Sequence, residues 1–491
     1  MSMTPASSRY FNQVAAEWDA IRSGYFSEAV REAAFARAYL LPGMEVADVG
    51  AGTGFIAAGL AHLVRRVHVI DGSPAMLDVA RRNLAGFDTI EYHLGDSTAL
   101  PLADASLDAV FANMYLHHCP DPLLAVREMV RLLKPGGRLV LTDMDTHPYA
   151  WFKDEMADVW LGFERDQVRG WLKQADLVNV IVDCTGQSCC AQSQDPTIVD
   201  AQGREAHVSI FVATGTRRLA MRDEVRAIYT STAATDGCGC GSGAEASSCC
   251  ASTSSSQGDC CGEADQSQAA SNAALYYSPD EIAAAPAEAG EFSLACGNPI
   301  AMAALRPGEV VLDIGSGGGL DAFLAAGRVG PSGRVIGVDM TPAMLDRARA
   351  TALRNGILNV EFRQGQAEAL PVEDRQVDVI LSNCVINLVE DKGLVFKEAF
   401  RVLKPGGRLE VSDVVAAQAF TLEARTDGEA WSACVTGALP ETEYLDLISQ
   451  AGFDRVQVRR SRPAGNVDDV DLASVIVSAV KPAGESSACC G

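Results

Sequence analysis

Three cysteines in the C-terminal half of the chain sit in settings suited to chemistry: Cys296 in SLACGNP, Cys384 in SNCVINLVED and Cys434 in WSACVTGAL. Thiolates are soft donors that suit soft metal or metalloid ions, and two thiols return two electrons when they close a disulfide. An earlier stretch, ANMYLHHCPD at 112–121, has matching surroundings but carries Met114 where the later one has Cys384. A thioether cannot ionise, so the two stretches divide their labour. In the earlier one His117 and His118 are candidates for a base acting on an organic substrate, or simply for residues that begin a helix.

The composition bounds what such residues can serve. A chain of 491 residues, 48% of them hydrophobic, is long enough for two cores. A formal net charge of -24 disfavours a partner held through phosphates, because nucleic acids are bound by clustered Lys and Arg, and no nucleic-acid partner is expected. The opening MSMTPASSRYFNQ has no apolar signal region, and no apolar run is long enough to cross a bilayer, so a cytoplasmic protein with no membrane partner is expected. Fifteen cysteines in that setting read as reduced thiols rather than as a disulfide framework.

The elements that must position these residues occur twice. LLKPGGRLVLTD at 132–143 matches VLKPGGRLEVSD at 402–413, and the same spacing pairs Asp108 with Asp378 and Asn113 with Asn383. Upstream, DVGAGTG at 48–54 matches DIGSGGG at 313–319. Each copy alternates short β-rich apolar runs with helical stretches, which predicts an α/β fold: two tandem Rossmann-like domains, each with a mostly parallel sheet and helices on both faces. The expected domains are 1–217 and 218–483, the second opening on a helix at 219–233. A flexible Cys-rich segment at 235–272 and a Cys-containing tail at 484–491 complete the chain.

A strand ending in Asp, then glycines at alternate positions, then a helix, lets backbone amides approach a nucleotide-like ligand closely. The third glycine of the dinucleotide fingerprint is replaced by Phe55 and Leu320, and each second strand ends in an acid, Asp71 or Asp339, suited to ribose hydroxyls. With these loops and their LKPGG strands, both halves resemble class I S-adenosylmethionine-dependent methyltransferases. The resemblance implies a seven-stranded sheet with a reversed hairpin at one edge. It also implies cofactor contacts from Asp48, Gly50, Gly52, Gly54, Asp71 and Asp96 in the first domain. In the second it implies Asp313, Gly315, Gly317, Gly319, Asp339, Met340 and Asn383, with Gln366 in place of the adenine-side acid.

From about 276 to 460 the match narrows. SLACGNP, VLDIGSGGGLD, GVDMTPAML, SNCVINL, LKPGGRLEVSD and WSACVTGAL, in that order, are similar to the bacterial arsenite methyltransferases. That resemblance implies that Cys384 and Cys434 hold trivalent arsenic and that Cys296 takes part in the redox step. S-adenosylmethionine would donate the methyl group, arsenite or methylarsenite would accept it, and glutathione or thioredoxin would reopen the disulfide. Arsenite is neutral near pH 7, so no basic pocket is needed. All seven histidines lie at or before His207, and a lone pair on arsenic requires no base.

Two other readings stand beside this one: a methyltransferase of an organic thiol or quinone, and a binding protein whose Cys-rich segment sequesters arsenic or a soft metal. For the latter the sequence offers Cys238 and Cys240, with the adjacent pairs Cys249–Cys250, Cys260–Cys261 and Cys489–Cys490. Cys184, Cys189 and Cys190 form a further candidate soft-metal patch in the first domain.

Overall fold

The computed structural model describes residues 5–193, 195, 204–234, 271–290 and 295–484. It divides into two units, residues 1–220 with 419–426, and 221–418 with 427–491. The cysteines at 238, 240, 249, 250, 260, 261, 489 and 490 lie outside the described residues.

In the first unit β1 (Glu45–Val49), β2 (Arg66–Asp71), β3 (Ile90–Leu94), β4 (Leu107–Asn113), β5 (Leu133–Met144), β6 (Leu177–Gln192) and β7 (Glu205–Arg217) form one sheet in the order 3-2-1-4-5-7-6. Neighbours from β3 to β5 run parallel, and β7 enters antiparallel to both β5 and β6. The second unit repeats this with β8 (Val310–Ile314), β9 (Arg334–Asp339), β10 (Val360–Gln364), β11 (Val377–Asn383), β12 (Leu403–Ala416), β13 (Asp454–Val467) and β14 (Val470–Val480), in the order 10-9-8-11-12-14-13. The seven-stranded sheet with a reversed edge hairpin is therefore present in each unit.

Central strands of a parallel sheet are covered on both faces, which explains why VADV and VLDI are near-continuous buried runs rather than alternating ones. Val110 and Leu141, fully buried in the first core, exemplify side chains whose truncation to Ala costs about 2–5 kcal/mol. The order reversal between the first and fourth strands opens a crevice at their carboxyl ends. Both chains that leave the fourth strand pass through a short 3-10 turn, Leu116–His118 or Ile386–Leu388. A helix follows each turn, capped by Asp121 on the Leu124 N–H or by Asp391 on the Leu394 N–H, at 3.0 Å in both cases. These caps fix where each turn stops and so where its residues point.

Candidate functional site

The crevice of the second unit holds a cavity of about 170 Å³. The loop after β8 forms its floor. Gly315 and Gly317 adopt left-handed backbone, φ 72° and 50°. A Cβ on Gly315 would overlap the Val385 side chain at 2.2 Å, whereas one on Gly317 would meet nothing within 4 Å and would stand in the cavity. Gly317 thus keeps the space that a close-lying ligand needs. Gly319 begins the helix Leu320–Val329 and lies off the cavity wall.

Asp339 ends β9 on the wall, with its two oxygens accepting the Gly317 N–H at 3.0 Å and the Thr341 N–H at 2.8 Å. Asp313 also lines the cavity; burial, then the neighbouring Asp321, pushes its carboxyl well above the usual range. Its Oδ2 is buried without a hydrogen-bond partner among the described residues. Met340, Gln366 and Asn383 are on the wall as well. An orphaned acid, an acid at the second strand end and an open glycine floor fit the ammonium, ribose and adenosine parts of S-adenosylmethionine.

Cys384 follows β11 in left-handed backbone, φ 59°, its N–H bonded to Ser412 O at 2.8 Å, and it lines the cavity. It is disulfide-bonded to Cys296, with the two Cα atoms 5.7 Å apart. Asn383 organises the junction. Its Oδ1 accepts the Cys296 N–H at 3.1 Å, and its Nδ2 lies 2.9 Å from Tyr277 Oη, 3.0 Å from Gly297 O and 3.1 Å from Asp321 Oδ2. Cys434, buried and also left-handed at φ 60°, donates its thiol to Cys384 O at 2.9 Å. Burial and then the nearby Asp413 raise that thiol far above the ordinary cysteine range. The structure thus joins Cys296 to Cys384 and sets the Cys434 thiol against the Cys384 carbonyl; of the three, only Cys384 reaches the cavity wall.

Sequence reasoning passed over three contributors. Asp413 places a carboxylate oxygen within 4.8 Å of the Cys296 and Cys384 sulfurs, and its burial pushes it up to about 7. Arg222 and Tyr229, on the helix Arg222–Ala234, line the cavity, Arg222 paired with Glu368 at 2.6 Å and Tyr229 donating to Ser432 O at 3.2 Å. Asp413 had a signal, since both LKPGG repeats end in Asp. The two helix residues had none.

The first unit builds the same floor from Gly50 and Gly52, with Asp71 accepting the Gly52 and Ser73 N–H groups, both at 2.8 Å. Gly54 caps the next helix, and Asp48 bonds the Ala57 N–H at 3.0 Å beneath the loop; burial pushes Asp48 up to about 7. Neither Asp48, Gly54 nor Asp96 lines the cavity, and Asp96 instead accepts the Thr98 N–H of its own turn at 3.0 Å. The space is only about 60 Å³, and Phe11, Trp18 and Arg22 from the N-terminal helices line it. Met114 takes the place of Cys384 with φ 51° and the same N–H bond, to Thr142 O at 2.8 Å.

His117 and His118 are buried in the turn beyond Met114. Burial opposes protonation of His117, yet Asp143 and Asp158 carry it up to about 9, while burial and His117 hold His118 well below the usual range. The proposed patch of Cys184, Cys189 and Cys190 is not assembled. Successive residues of a strand face opposite sides, so Cys189 is buried while Cys190 is exposed beside His207 Nδ1 at 3.3 Å.

Two open sheets in this order, each with a glycine loop after its first strand and an acid closing its second, define class I S-adenosylmethionine-dependent methyltransferase domains. The family model described as "Methyltransferase domain" matches residues 305–452, and a second model with the same description matches 47–141. The chain belongs to the methyltransferases, with one such domain in each unit.

It is 42% identical over 238 residues to an arsenite methyltransferase of Halobacterium salinarum, covering 47% of this chain and 60% of that one. It is 39% identical over 152 residues to the arsenite methyltransferase of Homo sapiens, covering 29% of this chain and 40% of that one. Among solved structures, an arsenic(III) S-adenosylmethionine methyltransferase from Chlamydomonas reinhardtii is similar at 34% identity, over 43% of this chain and 76% of that one, with a TM-score of 0.38. The chain spans 60% or less of the curated relatives it matches here. Among the described residues, no helix is long and apolar enough to cross a membrane.

Proposed function

We propose that the second unit methylates trivalent arsenic, from arsenite or methylarsenite, at the expense of S-adenosylmethionine. The observation that carries this reading is that Cys296 and Cys434, from two remote segments, both meet Cys384, which stands on the wall of a cavity fitted to the methyl donor. The cofactor supplies an electrophilic methyl group when bound. Everything else falls to the chain's own residues.

With the disulfide open, Cys384 and Cys434 exchange two hydroxyls of As(OH)3 for sulfur and release two waters. Buried thiolates fixed by left-handed backbone hold the metalloid in one orientation, with its lone pair toward the donor, so the rate gain comes chiefly from positioning. Taking up the methyl group raises arsenic formally to the pentavalent state. The Cys296 sulfur then attacks the arsenic-bound Cys384 sulfur; the Cys384–arsenic bond breaks with its electron pair left on arsenic, which returns to the trivalent state as the Cys296–Cys384 disulfide closes and the Cys296 proton leaves. An external thiol, glutathione or thioredoxin, then reduces the bridge. Such a cycle suits a reducing compartment, so we place it in the cytoplasm, in detoxification of arsenic.

The test is to incubate the full chain with labelled S-adenosylmethionine, arsenite and glutathione, and to speciate the arsenic. Methylated arsenicals are expected from the native chain and none from a Cys384→Ser, Cys434→Ser double variant. Label passing instead to an organic thiol, and persisting in that variant, would overturn the reading in favour of an organic substrate.

A further inference from the structure

The first unit gathers nitrogen and oxygen donors for which arsenic chemistry has no use. His117 Nδ1 lies 2.6 Å from Asp143 Oδ1, a bond that fixes the ring and leaves Nε2 directed at Asp158 Oδ1, 3.7 Å away. His118 Nδ1 lies 3.6 Å from the same Asp158 oxygen. The two imidazole centroids are 4.0 Å apart, and the three donor atoms all stand within 4.8 Å of one another. Side-chain exposure is 5%, 9% and 1% for His117, His118 and Asp158. A buried imidazolium between two carboxylates would account for Asp143 and one oxygen of Asp158. It leaves Asp158 Oδ2, buried and without a hydrogen-bond partner among the described residues, unexplained.

The geometry points to a site for a divalent d-block cation, Zn2+ being the ion of choice, held by His117 Nε2, His118 Nδ1 and Asp158. Donor atoms around tetrahedral zinc, at bonds of about 2.0–2.1 Å, stand about 3.3 Å apart, so the two imidazole-to-Asp158 separations of 3.7 and 3.6 Å need contraction by only a few tenths of an ångström, and the two imidazole nitrogens already stand within 4.8 Å of each other. The Asp143–His117 bond is the carboxylate–histidine pair that orients a ligating imidazole. His118 Nδ1 also faces Ala157 O at 3.4 Å, beyond the roughly 3.2 Å limit of a good hydrogen bond, and gives up little by turning to a metal. His118 belongs at once to this donor set and to the cavity wall of the first unit.

The chain's many thiols would compete for zinc, so the full chain is first alkylated with iodoacetamide in native buffer. After loading with Zn2+ and dialysis, elemental analysis should find one ion per chain, and zinc should raise the melting temperature. Co2+ in its place should give visible d–d bands without sulfur charge transfer in the near ultraviolet. His117→Gln and Asp158→Asn should each reduce retained zinc at least tenfold and abolish the thermal shift, with unchanged circular dichroism. A variant that does not fold is replaced by His118→Gln under the same criterion. Absence of nitrogen- and oxygen-bound cobalt in the alkylated native chain, or retention of zinc by the folded variants, would overturn the site.

Discussion

The two units put the same backbone to opposite uses. Asp143 and Asp413 occupy matching places late in β5 and β12, and each accepts a backbone N–H of the turn that follows the fourth strand. In the first unit that turn offers imidazoles, with Asp143 bonded to His117. In the second it offers the Asn387 N–H at 3.2 Å, and sulfur stands nearby in Cys296 and Cys384. Even the covering tryptophans correspond: Trp160 Nε1 donates to Cys119 O at 2.9 Å, and Trp431 Nε1 to Leu388 O at 3.1 Å. A shared scaffold therefore fixes where donors go, and side-chain identity sets whether those donors are nitrogen and oxygen or sulfur.

The comparison breaks most sharply at the residue after the fourth strand. Cys384→Met, which copies the first unit, should lower arsenic methylation by about 10³-fold or more, because a thioether cannot replace a hydroxyl on arsenic. S-adenosylmethionine binding, measured by calorimetry, should stay within about threefold, and a large loss there would mean that the swap damages the fold. Next in size is Gly317→Val. Its side chain would enter the open floor of the second cavity and strain a left-handed residue, weakening cofactor binding there by about 100-fold. Unchanged cofactor affinity in the second unit would refute the assignment of the floor.

A pH experiment sharpens the contrast within the thiols. Burial and Asp413 raise the Cys434 thiol, so its thiolate fraction is small at neutral pH and grows as pH rises toward the shifted value. Its alkylation, followed by mass spectrometry in native buffer, should climb roughly tenfold per pH unit from 7 to 9. Asp413→Asn should speed it at each pH; a profile that levels off below pH 9 would contradict the raised thiol, and an unchanged rate in the variant would contradict the influence of Asp413. The smallest effect should come from Trp160→Phe, where a ring 37% exposed loses one hydrogen bond worth about 1 kcal/mol in unfolding experiments. Trp431→Phe, in a ring only 1% exposed, should cost more because a cavity is added to the lost bond, and equal losses in the two units would contradict that difference in burial.

Much of this was legible in the sequence where a backbone constraint has a local signature. Alternate glycines after an apolar strand, an acid two elements later and a repeated LKPGG announced both sheets, because each reports a conformation or close approach that few residues permit. The contact between Cys434 and Cys384 O has no such signature. It depends on how a segment fifty residues onward packs, and only the family likeness pointed to it. Asp158 was invisible for the same reason: nothing in ADVWLGF reveals that its carboxylate meets two histidines across a turn. Cys189 and Cys190 show the reverse error, where adjacency in sequence suggested a joint site that strand geometry forbids.

The bridge between Cys296 and Cys384 carries a last consequence under the proposed cycle. A chain that has delivered its product is blind to the next metalloid until an outside donor has acted, because the sulfur needed for capture is locked away. Output would then track whichever of two supplies is scarcer, poison or electrons, and a starved, oxidised cell would lose this defence while the polypeptide itself remained intact.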